Sequence, residues 1–141
     1  MKKINPLAVF YSIIIIFIIL LIYFFGPFEH ESKRVFFPVI TVLGIAFFVL
    51  GIWLIFLRKR IKDKKLRIYL FLTGGSAALA LICVILHNLV YGLMILLFGE
   101  GFWNGGDEAF FFIIALIVCP ILLIWGIIGG LIRIRKLEKK K

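Results

Sequence analysis

A histidine and an asparagine stand side by side in an otherwise apolar stretch of this chain. The stretch ILHNLVYG, residues 85–92, places His87, Asn88 and Tyr91 within about one helical turn. Histidine titrates near neutral pH, and an ionisable residue at membrane depth marks a functional site by default. A neutral histidine that forms a hydrogen bond between helices is the structural alternative. We favour the structural role for His87, because the apolar runs contain no second charge that could relay a proton.

Three acidic residues, Glu100, Asp107 and Glu108, occupy the polar segment that follows this stretch. Asp107 and Glu108 directly precede another apolar run. Because carboxylates stabilise helix N-termini, Asp107 is predicted to cap the helix that begins there. The alternative is that the three acids, together with the polar stretch, line a vestibule that binds cations.

The chain has few other residues that could perform chemistry. Its two cysteines, Cys83 and Cys119, lie in apolar runs and lack the Cys-x-x-Cys spacing of thiol redox sites. The two histidines and two cysteines are scattered and form no metal-binding pattern. There is no glycine-rich phosphate loop and no serine nucleophile motif. The sequence therefore predicts no catalytic residue, no metal and no cofactor, and it favours a protein that is not an enzyme.

Four apolar runs must position these side chains. They cover 7–25, 35–57, 68–98 and 109–132, and none contains Asp, Glu, Lys or Arg. About 20 apolar residues suffice to cross the hydrocarbon core of a bilayer. The composition is 64% hydrophobic, whereas a soluble domain is about half apolar. We predict an all-α integral membrane protein, a four-transmembrane-helix bundle that forms a single membrane domain over 1–141.

The distribution of charge predicts the orientation. The formal net charge is +10, and 15 of the 17 lysines and arginines lie before the first run, in the loop 58–67 or after residue 132. Basic residues in short loops stay on the cytoplasmic side. We expect a multi-pass protein of the cell membrane with both termini cytoplasmic and the basic segments against anionic lipid headgroups, not nucleic acid. The first run is longer than the apolar core of a signal peptide and is expected to remain as an anchor.

The third run is long enough to allow two arrangements. A helix over 68–98 would measure about 46 Å, which requires a strong tilt in a hydrocarbon core of about 30 Å. Alternatively, the span covers 68–90 and the remainder lies along the outer surface, with Gly92 as a break. In either case, small or polar residues form one helical stripe that should face protein: Thr73, Ser76, Ala80, Cys83, His87 and Tyr91.

Small residues predict where the helices pack, because they let backbones approach closely in lipid. The third run contains Gly74 and Gly75, and the fourth contains Gly126 and Gly130 in a Gly-x-x-x-Gly pair. The first run is almost entirely Ile, Leu and Phe and is expected to face lipid. Pro120 removes a backbone donor near the middle of the fourth run, which predicts a kink.

These features favour a small non-enzymatic membrane protein that acts as an accessory or interaction subunit through helix packing, with itself as a homo-oligomer or within a larger membrane complex. The alternative is a small transporter or channel with an outward-facing polar vestibule around His87 and Asn88. A weaker alternative is a membrane enzyme that acts on lipid at the outer face. A continuous polar path would favour transport, whereas a sealed apolar interior would favour the first function.

Overall fold

The computed structural model describes residues 5–27, 30–104 and 106–139, and it is all-helical over these ranges. Four long helices account for most of it, and each is long and apolar enough to cross a membrane, as the sequence predicted. They are α1, Pro6–Phe25; α2, His30–Leu57; α3, Lys64–Phe98; and α4, Phe110–Glu138. Short 3-10 turns, Arg58–Arg60 and Glu100–Trp103, lie in the connections on either side of α3. The arrangement is consistent with a helical bundle.

The chain alternates between two ends of this arrangement. We call the basic end the one that holds Asn5, the connection 58–63 and the last turns of α4. The acidic end holds Gly26, the first turn of α2 and the connection 99–109. Each helix therefore runs from one end to the other.

Helix α1 begins at Pro6, one residue before the first apolar run. The side chain of Asn5 accepts a hydrogen bond from the Leu7 amide at 3.0 Å, and Pro6 occupies the first helical position. Proline suits that position, since its missing N–H would have no partner inside the helix.

Helix α2 begins at His30, earlier than the predicted start of the span at residue 35. Pro38 consequently lies inside the helix. The charged residues before the apolar run extend the helix, and Glu31 in its first turn interacts favourably with the helix dipole. The hydrophobic pattern alone could not show this, because it marks only the apolar part of the helix.

Helix α3 is one continuous helix of 35 residues. It passes through Gly92 without the break that the second arrangement places there. A glycine inside a helix costs only about 1 kcal/mol relative to alanine. The helix ends at Gly99, whose φ of 87° is a conformation that glycine adopts without strain. At about 52 Å, α3 exceeds the thickness of a hydrocarbon core.

Helix α4 changes its winding near the predicted kink. Residues Ile114–Val118 form a π-helical turn, in which the Cys119 amide bonds to the carbonyl of Ile114 five residues back. Regular α-helix then runs over Cys119–Glu138, with Pro120 in its first turn. The wider turn directly before Pro120 accommodates a residue that cannot donate a backbone hydrogen bond.

Helix α3 occupies the centre and packs against α2 on one side and α4 on the other. The contact with α2 is closest at Gly51 and Gly74, where a Cβ added to either glycine would lie 2.7 Å from the other's carbonyl oxygen. The backbones of α3 and α4 approach each other at Gly126, where an added Cβ would lie 2.6 Å from Thr73 Oγ1 and 2.8 Å from the Thr73 amide nitrogen. Two backbones this close leave no room for a side chain.

Helix α1 is not simply a lipid-facing helix, which corrects the expectation from its composition. Phe10 and Ile13 are fully buried. The Phe10 ring lies against Gly130, where an added Cβ would approach its Cζ to 2.8 Å. An aromatic ring on α1 thus fills a notch that glycine leaves in α4, and the rest of α1, from Ile15 to Phe25, is mostly exposed.

The described bundle is packed more tightly towards its basic end than towards its acidic end. Most of the fully buried side chains lie in the basic half, among them Phe10, Leu54, Leu70 and Thr73. Gly75, predicted as a packing position, has nothing within 4 Å of an added Cβ. Gly44 and Gly92 are equally open. Apolar side chains of the acidic half are exposed on all four helices.

Candidate functional site at the acidic end

The carboxylate of Glu108 is the centre of a polar cluster between the start of α4 and the end of α3. Its side chain is 7% exposed. One oxygen accepts hydrogen bonds from the amides of Phe110 at 2.7 Å and Phe111 at 3.2 Å, and the other accepts from Phe111 at 3.1 Å. Glu108, and not the predicted Asp107, therefore caps α4.

The carboxylates of Asp107 and Glu108 accept hydrogen bonds from different backbone amides. The Asp107 carboxylate accepts a hydrogen bond from the neighbouring Glu108 amide at 2.7 Å. The longer side chain of Glu108 reaches the free amides of the first turn of α4. Neighbouring carboxyl groups are almost equivalent in the sequence pattern, and the path of the backbone decides between them.

His87 joins this cluster from α3. Its Nδ1 lies 2.9 Å from the carbonyl oxygen of Glu108 and 3.2 Å from Glu108 Oε2. Its Nε2 lies 3.5 Å from Asp107 Oδ2. The histidine side chain is 14% exposed, and its ring centroid lies 5.4 Å from that of Phe112 on α4. His87 thus ties the acidic end of α3 to the segment that begins α4.

The contacts of the His87 ring place a proton on Nδ1. Nδ1 faces a carbonyl oxygen, which can only accept, so Nδ1 must carry a proton. In the neutral ring Nε2 would then present a lone pair to the Asp107 carboxylate, which is unfavourable. The positively charged ring donates from both nitrogens and lies between two carboxylates.

Burial alone raises the pKa of the Glu108 carboxyl, because a charged group loses hydration. The amides of Phe111 and Phe110 and the side chain of His87 act in the opposite direction and more strongly, and the pKa of Glu108 lies below its ordinary value. Glu108 is therefore ionised at neutral pH and supplies one of the two carboxylates that face His87.

The other predicted polar residues take separate places. The Asn88 side chain is exposed and donates to the Val84 carbonyl of its own helix at 2.8 Å. Tyr91 lies one turn beyond His87, and its ring stacks on Trp103 with centroids 5.8 Å apart. Glu100 is exposed in the turn after α3. The structure brings His87, Asp107 and Glu108 together.

Trp103 is a residue of this region that the sequence analysis did not single out. Its indole Nε1 donates to the Tyr91 carbonyl at 3.3 Å, and its own carbonyl accepts from the Gly106 amide at 2.7 Å. Tryptophan and tyrosine concentrate where a membrane meets water. The rings of Phe98 and Phe102 extend this aromatic group.

A second polar contact, at the basic end, was also missed. Arg133 of α4 binds Asp63 with two hydrogen bonds, Nε to Oδ1 at 3.0 Å and one terminal nitrogen to Oδ2 at 2.6 Å. Asp63 also caps α3 by accepting from the Leu66 amide at 2.8 Å. The Arg133 hydrogen bonds are the main reason that the pKa of Asp63 is lowered to about 2. A lone acid among seven basic residues was the available clue in the loop 58–67.

Between these two polar contacts the interface of α3 and α4 is closed by small and apolar groups. Cys83, Ser76 and Thr73 are buried on α3, and Cys119 and Leu123 are buried on α4. The Thr73 hydroxyl donates to the Tyr69 carbonyl of its own helix. Among the described residues, no three His, Cys, Asp or Glu side chains are grouped so that they could hold a metal ion.

The fold and these contacts define a class: a small all-helical protein whose four long apolar helices are compatible with a multi-pass membrane protein. No protein family matches the chain, and neither a curated protein nor a solved structure is detectably similar to it. The function must therefore be inferred from the residues and their geometry.

Proposed function

We propose that this protein is a small non-enzymatic membrane subunit that works by packing its open helix faces against a membrane partner or a second copy of itself. The observation that carries the proposal is the set of helical glycines without a neighbour in the chain. Nothing lies within 4 Å of a Cβ built on Gly44, Gly75 or Gly92. A glycine inside a helix costs about 1 kcal/mol relative to alanine, and in a membrane small residues repay this cost where another helix approaches.

The apolar surface around these glycines supports the same function. On α2, Val42 is 65% exposed and Ile45 is 52% exposed on either side of Gly44. The chain uses glycines elsewhere for close helix contacts, at Gly51 and Gly126. Gly44, Gly75 and Gly92 could allow the same close approach, but no second helix of the chain packs against them.

The test is association within a lipid bilayer. Two differently tagged copies are expressed together and cross-linked in the membrane, and cross-linked membrane partners are identified in parallel. Gly44→Ile is expected to reduce the association at least severalfold, because a branched side chain prevents close approach. Ile45→Leu changes shape on the same helix without filling the glycine site and serves as the control. If neither copies nor partners associate, or if both variants associate like the parent chain, the proposal is wrong.

We also propose that both termini and the loop 58–67 face the cytoplasm, because the basic residues concentrate there. Cys83 and Cys119 are replaced by alanine, and single cysteines are introduced at Lys64 and Asn104, which are both exposed. In intact cells an impermeant thiol reagent should label the cysteine at position 104 and not the one at position 64. Labelling at 64 alone would reverse the orientation.

A transporter is the second candidate, and the ionisable cluster at the acidic end favours it. Its weakness is the interface of α3 and α4 below that cluster, which holds no acidic or basic residue from 68 to 86 or from 110 to 132. In vesicles, a proton or ion flux that His87→Gln abolishes without loss of thermal stability would support transport. The absence of flux in the parent protein would support the subunit function.

A further inference from the structure

The polar cluster at the acidic end contains a group whose charge can change near neutral pH. His87 lies between Glu108 and Asp107, with a contact on each ring nitrogen. The contact through Nδ1 can persist in the neutral ring, because Nδ1 still carries a proton. The contact of Nε2 with Asp107 requires the second proton, since a lone pair would face the carboxylate.

The surroundings of His87 contain few other groups that could offset this change. From the segment before α4 the charged groups are Glu108 and Asp107, and from α4 itself the neighbour is the uncharged ring of Phe112. On its own helix, Cys83 and Tyr91 lie one turn away on either side. Among the described residues, the ion pairs of the cluster are those of His87 with Asp107 and Glu108.

Asp107 connects the cluster to the rest of the acidic end. It is 58% exposed, so water can hydrate its carboxylate as soon as the contact with His87 is lost. The preceding residue, Gly106, is bonded to the carbonyl of Trp103, and Trp103 is held by Tyr91 on α3. Asp107 is therefore connected through Gly106 and Trp103 to the end of α3.

The π-helical turn Ile114–Val118 lies just beyond this segment in α4. Such turns interrupt the regular ladder of hydrogen bonds and occur frequently at functional positions. Below it, α4 is fixed at Gly126 and Gly130 by close contacts with α3 and α1. The first turn of α4 is thus separated from the firmly packed part of the helix by a segment of irregular winding.

We propose that His87, Asp107 and Glu108 form a proton-dependent latch, which holds the acidic ends of α3 and α4 together while His87 is protonated and releases Asp107 when His87 loses its proton. Glu108 remains bound to the amides of α4 in both states. The change of charge occurs at His87, and its effect is expected in the turn that contains Trp103. It does not depend on which partner the open helix faces bind.

The test uses Trp103 as the reporter in the full chain in lipid nanodiscs. Trp53→Phe and Trp125→Phe remove the other two tryptophans, and emission is recorded from about pH 5 to 9, where histidine changes its charge. The parent protein is expected to show one sigmoidal change in the Trp103 emission maximum. His87→Gln and Asp107→Asn are each expected to abolish it.

Asp107→Asn guards against a failure to fold. Its amide oxygen can still accept the hydrogen bond from the Glu108 amide, and only the negative charge towards His87 is lost. Glu100→Gln removes a charge from an exposed residue of the same turn and should leave the response intact. A flat response in the parent protein, or a response retained by either latch variant, would overturn the proposal.

Discussion

At each end of the α3–α4 pair, a carboxylate that caps one helix also binds a basic side chain of the other, but the residues differ between the two ends. At the basic end, Asp63 caps α3 and binds Arg133 of α4. At the acidic end, Glu108 caps α4 and binds His87 of α3. In each contact a carboxylate satisfies the free amides of one helix and a basic side chain of the other. The carboxylate needs both the amides and the basic side chain, because burying an unpaired carboxylate beside an apolar interface costs free energy.

The difference between the ends lies in the basic partner. An arginine stays protonated at every physiological pH and binds a carboxylate with two parallel hydrogen bonds. A histidine changes its charge between about pH 5 and 8. The packing also differs between the two ends, since the close glycine contacts lie in the half of the bundle that contains Arg133. The contact at the basic end therefore persists at every physiological pH, whereas the contact at the acidic end can change with pH.

The strongest way to break this comparison is to disturb the close packing of α2 and α3. In Gly51→Ile the new side chain meets the Gly74 carbonyl and the Ala78 amide, which cannot move aside as a flexible side chain can. We expect the free energy of unfolding in detergent to fall by about 1–3 kcal/mol or more.

Gly44→Ile is the matched control for Gly51→Ile. It lies on the same helix, has the same chemistry and meets open space, so its effect in detergent should stay within about 0.5 kcal/mol. Equal losses in the two variants would show that the helices do not cross at Gly51.

The next largest effect is expected at the acidic end, from Glu108→Ala. This change leaves the Phe110 and Phe111 amides without their acceptor and His87 without its buried partner. Thermal unfolding should occur at a clearly lower temperature than in the parent protein. Glu108→Gln retains an amide oxygen for capping and should lose less.

The pH dependence of this contribution has a defined sign. Because the pKa of Glu108 is lowered in the folded protein, its stabilisation is complete above the ordinary pKa of a glutamate. It is lost as the pH falls through the lower, folded value. A melting curve of Glu108→Ala that keeps the same acid dependence as the parent would contradict this assignment.

A smaller effect is expected from Asp63→Asn at the basic end. Asparagine is a good helix cap, so the hydrogen bond to the Leu66 amide can persist while the charge opposite Arg133 is lost. Since the pKa of Asp63 falls from 3.8 to about 2 on folding, its contribution is fully present above 3.8. It declines only as the pH falls towards 2.

The difference in melting temperature between Asp63→Asn and the parent should therefore be constant from about pH 5 to 9. Glu138→Gln, an exposed acid at the same end, should change little and serves as the control. A marked change in the Asp63→Asn difference across this range would mean that the basic end is not the invariant one.

Much of the fold follows from simple features of the sequence, and the exceptions have physical reasons. The lengths of the apolar runs predict the four helices, and Gly99 after Phe98 is a typical helix stop. The start of α2 was misplaced because charged residues can be helical without being apolar. The burial of Phe10 could not be predicted, since it depends on a glycine, Gly130, that is distant in the sequence.

The candidate site was likewise predictable from the sequence only in part. His87 was singled out because it is the one ionisable side chain of its kind within an apolar run, and a helical stripe with Cys83 correctly suggested a face towards protein. Its partners are 20 or 21 residues away. The chain reverses its direction after Gly99 and thereby brings them to His87, and Asn104 in this connection adopts a left-handed conformation.

The smallest expected effect separates the two neighbours of the opening stretch, Asn88 and His87. The Asn88 amide donates to its own helix and is exposed, so Asn88→Leu removes no contact between helices. In lipid or detergent it should leave the melting temperature unchanged or raise it slightly, because an exposed apolar side chain suits that environment better than an amide. His87→Leu removes the link between α3 and the segment before α4 and should lower it. His87→Gln should fall between the two, since an amide can donate one hydrogen bond but cannot carry the charge that Asp107 and Glu108 stabilise. From most to least stable, we expect the order Asn88→Leu, His87→Gln, His87→Leu. The reason is that the Asn88 side chain is exposed, whereas the His87 side chain faces the segment before α4. If Asn88→Leu were as harmful as His87→Leu, the polarity of the stretch and not the contact across the helices would determine stability, and the latch would lose its basis.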